Sequence, residues 1–243
     1  MQPSGVDRFG DLIRKLTSLN NLSDEEIAGI RSLPLRTQRF KAGATIVSTG
    51  QLISECCLLV EGFACRHKLA SDGGRQIVSF HLAGDILDIQ HLLFEKADHN
   101  VQVITDAEVL FFPMRDFQRL IEERPEIGRA LWRDCLVDAS VFREWVLNVG
   151  RRDAKMRIAH MLCEFAARCE AAGLGTPNQF TLPMTQEDIG DATGLTSVHV
   201  NRMLRVLSEE GVIERSGREI RIADWERMKQ VADFDPDYLH LAA

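Results

Sequence analysis

The segment Met184-Thr185-Gln186-Glu187-Asp188-Ile189-Gly190-Asp191-Ala192-Thr193-Gly194-Leu195-Thr196-Ser197-Val198-His199-Val200-Asn201-Arg202-Met203-Leu204 decides how this chain is read. Thr185 is an N-cap residue followed by acids in the first turn, so a helix starts there. Ile189 is an apolar core position, and Gly190 is small where a second helix must come close. Gly194 permits the left-handed backbone that a sharp turn needs. Thr196 then caps a second helix, whose Val200, Met203, Leu204 and Leu207 recur at helical spacing and face inward. Ser197, Val198, Asn201, Arg202 and Arg205 are left on its outer face. Such a helix can lie in the major groove of duplex DNA with its N-terminal turns toward the base edges. Arg202 can bond guanine O6 and N7 together, and Asn201 can do the same for adenine. Thr185, Thr196 and the helix N-termini suit phosphate.

Directly after this pair, Glu210 to Ile222 reads as strand, tight turn and strand, with Arg218 at the tip as a phosphate candidate. The competing reading is a plain helical hairpin followed by an unrelated β-ribbon. Cap, small residue, turn glycine, second cap and ribbon in this order favour a winged helix-turn-helix.

Working toward the N-terminus, Asp153 caps a helix from Ala154 to about Ala172, and Gly150-Arg151-Arg152 before it reads as a hinge. Residues 116–150 have a helical period, and Pro125 suits the first turn of a long helix. A helix of about 25 residues spans about 37 Å, longer than most, and suits a dimer seam formed by Ile127, Leu131, Cys135, Phe142, Trp145 and Val149. From Leu35 to Pro113 glycines punctuate short apolar runs such as Cys57-Leu58-Leu59-Val60, Gln76 to Phe80 and Val109 to Phe112. That pattern predicts an antiparallel barrel or sandwich, with a hairpin turn at Ser71-Asp72-Gly73-Gly74 and a short helix near Ile89–Phe94. Residues 8–32 read as short helices, the second opened by a capping box at Ser23 and Glu26. The expected organisation is a sensor-like part (1–115), a long dimerisation helix (116–150) and a DNA-binding part with a tail (151–243).

The net charge of −7 is uneven. Residues 1–150 carry 17 basic against 21 acidic side chains, residues 151–222 carry 10 against 10, and residues 223–243 carry 2 against 5. A neutral reading head on an acidic chain is compatible with DNA, because close phosphate contacts matter more than total charge. No stretch reaches the length of a membrane span, and residues 1–14 lack an apolar signal core, so the expectation is a cytoplasmic protein. The six cysteines, at 56, 57, 65, 135, 163 and 169, form no C-x-x-C pair and read as buried small hydrophobes or free thiols. No hydrolase, Walker or dinucleotide motif occurs, so no residue is assigned a catalytic role, and no motif calls for a metal or cofactor.

The order of glycine-punctuated β-roll, long helix and winged helix-turn-helix resembles the Crp/Fnr family of bacterial transcription regulators over about residues 15–222. The carrying motifs are Gly84-Asp85 after a strand, the long helix after Pro125, and Thr185 to Arg202. The resemblance implies an α+β fold: a cyclic-nucleotide-binding-like β-roll, a dimerisation helix and a C-terminal winged helix-turn-helix. It also implies a homodimer on a two-fold-symmetric operator, contact with RNA polymerase, and a small-molecule effector in the β-roll. The family's recognition-helix arginine falls on Arg202, and its base-reading glutamate falls on Val198, which can touch a thymine methyl but cannot accept from cytosine. The family's effector glycine and acid fall on Gly84 and Asp85, and its later Arg-Ser/Thr pair falls near Asn100 and Val101. No arginine lies between Arg75 and Arg115. A buried cyclic phosphate would then lack its counter-charge, so a signal other than cyclic AMP is expected. No cysteine precedes Cys56, which argues against an N-terminal iron–sulfur centre. His67, His81, His91, His99 and Cys65 supply haem-ligand types without diagnostic spacing. A redox thiol among the six cysteines stands no better than haem, which leaves an unidentified small ligand, or control by expression level without any ligand, as the main expectation.

Overall fold

A computed structural model describes residues 7–241; the first six residues of the N-terminal stretch that lacks a signal core lie outside the described residues. The chain forms two compact units, one of residues up to Arg66 with Phe80–Leu136, the other of His67–Ser79 with Val137 onward.

The first unit opens with α1 (Gly10–Leu19) and α2 (Asp24–Arg31). The expected capping box is present: Ser23 N–H donates to Glu26 Oε2 at 2.6 Å, and Glu26 N–H to Ser23 Oγ at 3.4 Å. Strands β1 (Arg36–Phe40), β2 (Thr45–Val47), β3 (Glu55–Glu61), β4 (Ala64–Leu69) and β5 (Arg75–His81) follow. After a 3-10 turn at Ile89–Leu92 come β6 (Asn100–Val103) and β7 (Ala107–Pro113). They make two sheets, ordered β1-β7-β3 and β2-β6-β4-β5. The β4–β5 hairpin turns where Ser71–Gly74 predicts, with Ala70 N–H donating to the Gly74 carbonyl at 2.8 Å, and its outer part belongs to the second unit.

Strands β3 and β7 are covered on both faces, which is why their sequences read as unbroken apolar runs. Cys56, Leu58, Leu110 and Phe112 face a cluster with Phe9, Leu12, Leu16, Phe117 and Ile127. Their neighbours Cys57, Leu59, Val109 and Phe111 face a second cluster with Val47, Leu87 and Val101. The adjacent cysteines therefore do point to opposite faces, as strand alternation requires.

Helix α3 (Met114–Glu123) precedes the long helix α4 (Pro125–Arg151), which runs through both units. In the second unit Asp153 Oδ1 accepts from Met156 N–H at 2.9 Å and opens α5 (Ala154–Ala171). Strand β8 (Gln179–Thr181), α6 (Gln186–Thr193), α7 (Ser197–Glu209), β9 (Glu214–Ser216), β10 (Glu219–Arg221) and α8 (Trp225–Ala232) surround it. The wing is a three-stranded sheet ordered β8-β10-β9; the sequence reading includes only its last two strands.

The stretch after Ile222, which carries no motif, proves structural. Asp224 caps α8, and Phe234 and Tyr238 close over His160 of α5. Beside them Glu164, almost fully buried, accepts from Trp145 Nε1 at 3.0 Å and from Tyr238 Oη at 2.8 Å. This ties α4, α5 and the C-terminal segment together.

Burial, reinforced by the Arg152 guanidinium, pushes His160 down to about 3. Glu144 lies 3.2 Å from its Nε2 but outside hydrogen-bond geometry, and that carboxylate is held by Arg152 at 2.7 Å. A histidine with a lowered folded pKa costs nothing above its unfolded value and destabilises as pH falls below it. His160 is therefore expected to cost about 2 kcal/mol on going from neutrality to about pH 5. Urea unfolding of wild type and His160→Leu at the two pH values checks this: the variant should lose much less stability on acidification, and parallel losses would refute the assignment.

Candidate DNA interface and sensor interior

The helix-turn-helix is built as its sequence prescribes. Thr185 Oγ1 accepts from Asp188 N–H at 3.1 Å, while Asp188 Oδ2 accepts from Thr185 N–H at 2.9 Å and from its hydroxyl at 2.7 Å. Gly194 ends α6 at φ +68°, a left-handed conformation. A Cβ on Gly190 would collide with the Leu195 carbonyl, so the close approach falls on the turn leading into α7. Thr196 Oγ1 accepts from His199 N–H at 3.3 Å and caps α7. Val200, Leu204 and Leu207 are buried.

Thr185, Thr196, Ser197, Asn201, Arg202 and Arg205 are exposed, and Val198 is 79% exposed. Arg205 pairs with Glu209 at 3.1 Å in an exposed ion pair, and Ser197, Asn201 and Arg202 are the other polar side chains of that face. Arg218 sits exposed at the wing tip, its carbonyl accepting from Leu182 N–H at 2.8 Å. The predicted DNA residues thus share one unit and stand open to solvent.

The expected dimer seam needs correction. Ile127 and Leu131 are buried among α1 and α3 of their own unit, and Trp145 is bonded to Glu164. Cys135 and Phe142 are exposed, Val149 is half-buried, and they are joined on the open side by Trp132 (69%) and Val146 (69%). Helix α4 has two apolar faces, and spacing alone does not say which one its own chain covers.

The residues predicted for an effector are engaged inside the first unit. Gly84 lies against the backbone of Asp11 in α1, 3.1 Å from where a Cβ would stand. Asp85 Oδ1 accepts from Lys15 Nζ at 2.7 Å, and its Oδ2 from Leu82 N–H at 3.1 Å. Lys15 also meets Asp134 of α4 at 2.8 Å. Burial opposes the ammonium form, but the two carboxylates outweigh it and hold Lys15 above the usual lysine range. Asn100 Oδ1 accepts from Thr49 N–H at 3.0 Å, and Val101 is fully buried.

Sequence reasoning singled out His91 and His99 only as haem-ligand types and missed Asp88 and the polar group the three form in the same unit. Asp88 and His91 are buried, their side chains 3.9 Å apart, and His91 stacks on His99 with centroids 6.0 Å apart. Asp88 Oδ1 accepts from Cys57 N–H at 2.9 Å, whereas its Oδ2 and both His91 nitrogens have no hydrogen-bond partner. Burial also lowers His99, which pairs with Asp98 at 2.7 Å. Buried Arg66 donates from Nε to the Leu87 carbonyl at 3.1 Å, so the unit does hold an interior arginine, supplied from before Arg75 rather than from the stretch up to Arg115. The acid inside Ile86-Leu87-Asp88-Ile89 was the available signal. Burial raises the thiols of Cys56, Cys57 and Cys163, and that of Cys169 to about 11, keeping them protonated and poorly nucleophilic. Cys135 is the exposed cysteine.

An antiparallel β-roll, a long helix and a capped helix pair with a wing define a DNA-binding regulator with a cyclic-nucleotide-binding-like domain. Residues 37–124 match the cyclic nucleotide-binding domain model and residues 156–231 the Crp-like helix-turn-helix domain model. The nitrogen fixation regulation protein FixK of Rhizobium meliloti is 31% identical over 205 residues, covering 82% of this chain and 89% of that protein. The transcriptional activator protein FnrL of Cereibacter sphaeroides is 29% identical over 240 residues, 97% of this chain and 96% of its own. The solved structure of FixK2 from Bradyrhizobium japonicum superposes with a TM-score of 0.75 at 26% identity, covering 82% of this chain and 98% of that one. The chain belongs to the Crp/Fnr family of transcriptional regulators. Among the described residues no helix is long and apolar enough to cross a membrane.

Lys15→Met would leave Asp85 and Asp134 facing each other without their shared cation. We expect a loss of about 2 kcal/mol, below the cost of breaking a fully buried pair because Lys15 is partly open to solvent. Adding Asp134→Asn should recover part of it in urea unfolding, and an unchanged midpoint in the single variant would contradict the bridge.

Proposed function

We propose that this chain is a cytoplasmic activator that binds a two-fold-symmetric DNA site as a homodimer and meets RNA polymerase there. The observation that carries the reading is the open face of α7, where Asn201 and Arg202 project beside Val198. The name of the FnrL relative supports activation rather than repression. With Val198 at the base-reading position, a thymine methyl is the expected contact, so the operator differs from one read by glutamate. Arg202→Ala and Asn201→Ala should each cost about 1–3 kcal/mol of discrimination between the preferred duplex and its single-base variants. Arg218→Ala should instead weaken all duplexes alike. Fluorescence anisotropy on matched duplexes separates the two patterns, and base-selective loss from Arg218→Ala would overturn the role assignments.

The second copy is assigned to the open face of α4, where Trp132, Cys135, Ala139, Phe142, Val146 and Val149 follow a heptad. A Trp132→Glu, Val146→Glu double variant is expected to scatter light with the mass of one chain while the wild type shows two. A dimeric mass in the variant would remove this seam.

The signal we propose is not cyclic AMP. An effector at Gly84, Asp85, Asn100 and Val101 would have to displace Lys15 from Asp85 and Thr49 from Asn100. These engaged partners support control without a ligand at those four residues, and burial of Cys56, Cys57, Cys163 and Cys169 disfavours them as redox thiols.

A further inference from the structure

The β4–β5 hairpin makes a contact that DNA reading by α7 does not use. Within the second unit Arg75 grips α6 with two donors: Nε reaches Asp191 Oδ2 at 2.6 Å and Nη2 reaches Asp188 Oδ1 at 2.7 Å. Gln76 Nε2 adds the Ala192 carbonyl at 3.4 Å. The three charged side chains are 23%, 12% and 24% exposed, so the pairs are partly shielded from water. Positions 188 and 191 lie on one helix face, and a planar guanidinium fork can hold both carboxylates at once. Asp188 is also the capping acid of α6, its other oxygen taken by Thr185. A single carboxylate therefore joins the hairpin, the helix and the cap.

In a helix-turn-helix the first helix crosses the DNA backbone while the second reads the groove. Helix α6 carries three acids, Glu187, Asp188 and Asp191, which would oppose phosphates if left uncompensated. We propose that Arg75 is a positioning residue for DNA binding: through Asp188 and Asp191 it offsets one of the three negative charges of α6 and fixes the helix pair in its reading posture. Arg75 itself touches no DNA in this role; the hairpin is a structural part of the reading head. A lysine there would bring the same charge but only one nitrogen, losing the planar fork that meets each carboxylate with its own N–H.

The inference rests on the DNA reading, and the test keeps the two apart. The probe is a fluorescein-labelled duplex enriched by the wild-type protein from a random pool, with melting temperatures recorded in parallel. Arg75→Gln should bind roughly five- to tenfold more weakly while remaining folded, and Arg75→Lys should fall between it and wild type. In an Asp191→Asn background Arg75→Gln should lose clearly less, because its route of action is already partly cut. Arg202→Ala is the control: its loss with wild-type binding by Arg75→Gln would sink the latch alone. Tighter binding by Arg75→Gln would make the hairpin a brake and overturn the proposal. An equal loss in both backgrounds would mean that Arg75 contacts the duplex directly, and would also overturn it. If Arg75→Gln fails to fold, the same comparison is made with Arg75→Lys.

Discussion

The backbone at Gly190 lies against the carbonyl of Leu195, with no room for a side chain between them. That contact sets how α6 and α7 meet, and the reading face depends on it. Gly194 makes the reversal in a left-handed conformation, and each helix opens on a threonine that satisfies its own first turn. These local bonds let two helices of eight and thirteen residues hold a fixed angle. Such short helices are marginal alone, so the buried face of α7 against α5 supplies the rest of the stability.

The other unit depends on a different kind of contact. Lys15 stands between Asp85 and Asp134, and so links the N-terminal helix, the loop after β5 and α4. The loop position that resembles the family's effector site is thereby used to hold the fold. Nearby, Asp88, His91 and His99 form a buried polar group within an otherwise apolar roll. Unpaired buried polar atoms are costly, so these residues are a demanding feature for the sequence to keep. Helix α4 serves both units, since it packs Ile127 and Leu131 into the first and Trp145 into the second.

Local rules make much of this legible in the sequence. The caps at Ser23, Asp153, Thr185 and Thr196, the hairpin turn at Ser71–Gly74 and the inward face of α7 each follow from residues within one turn or strand. The seam expected on α4 is half wrong because amphipathic spacing reports that a face is apolar, not what covers it. Lys15 is invisible for a related reason: its partners lie 70 and 119 residues away in sequence. Arg75 and Asp188 are 113 residues apart and show no joint pattern. The C-terminal segment has neither a repeat nor a motif, yet Tyr238 and Phe234 cover a buried histidine. What the sequence does not reveal is therefore mostly long-range pairing of charged or aromatic side chains.

DNA reading by α7 of two identical chains is tested most directly by selecting bound duplexes from a random pool and sequencing them. The predicted result is an inverted repeat whose half-site centres lie about one helical turn, roughly 10 base pairs, apart. Enrichment of a sequence without two-fold symmetry, or no enrichment over the starting pool, would contradict it.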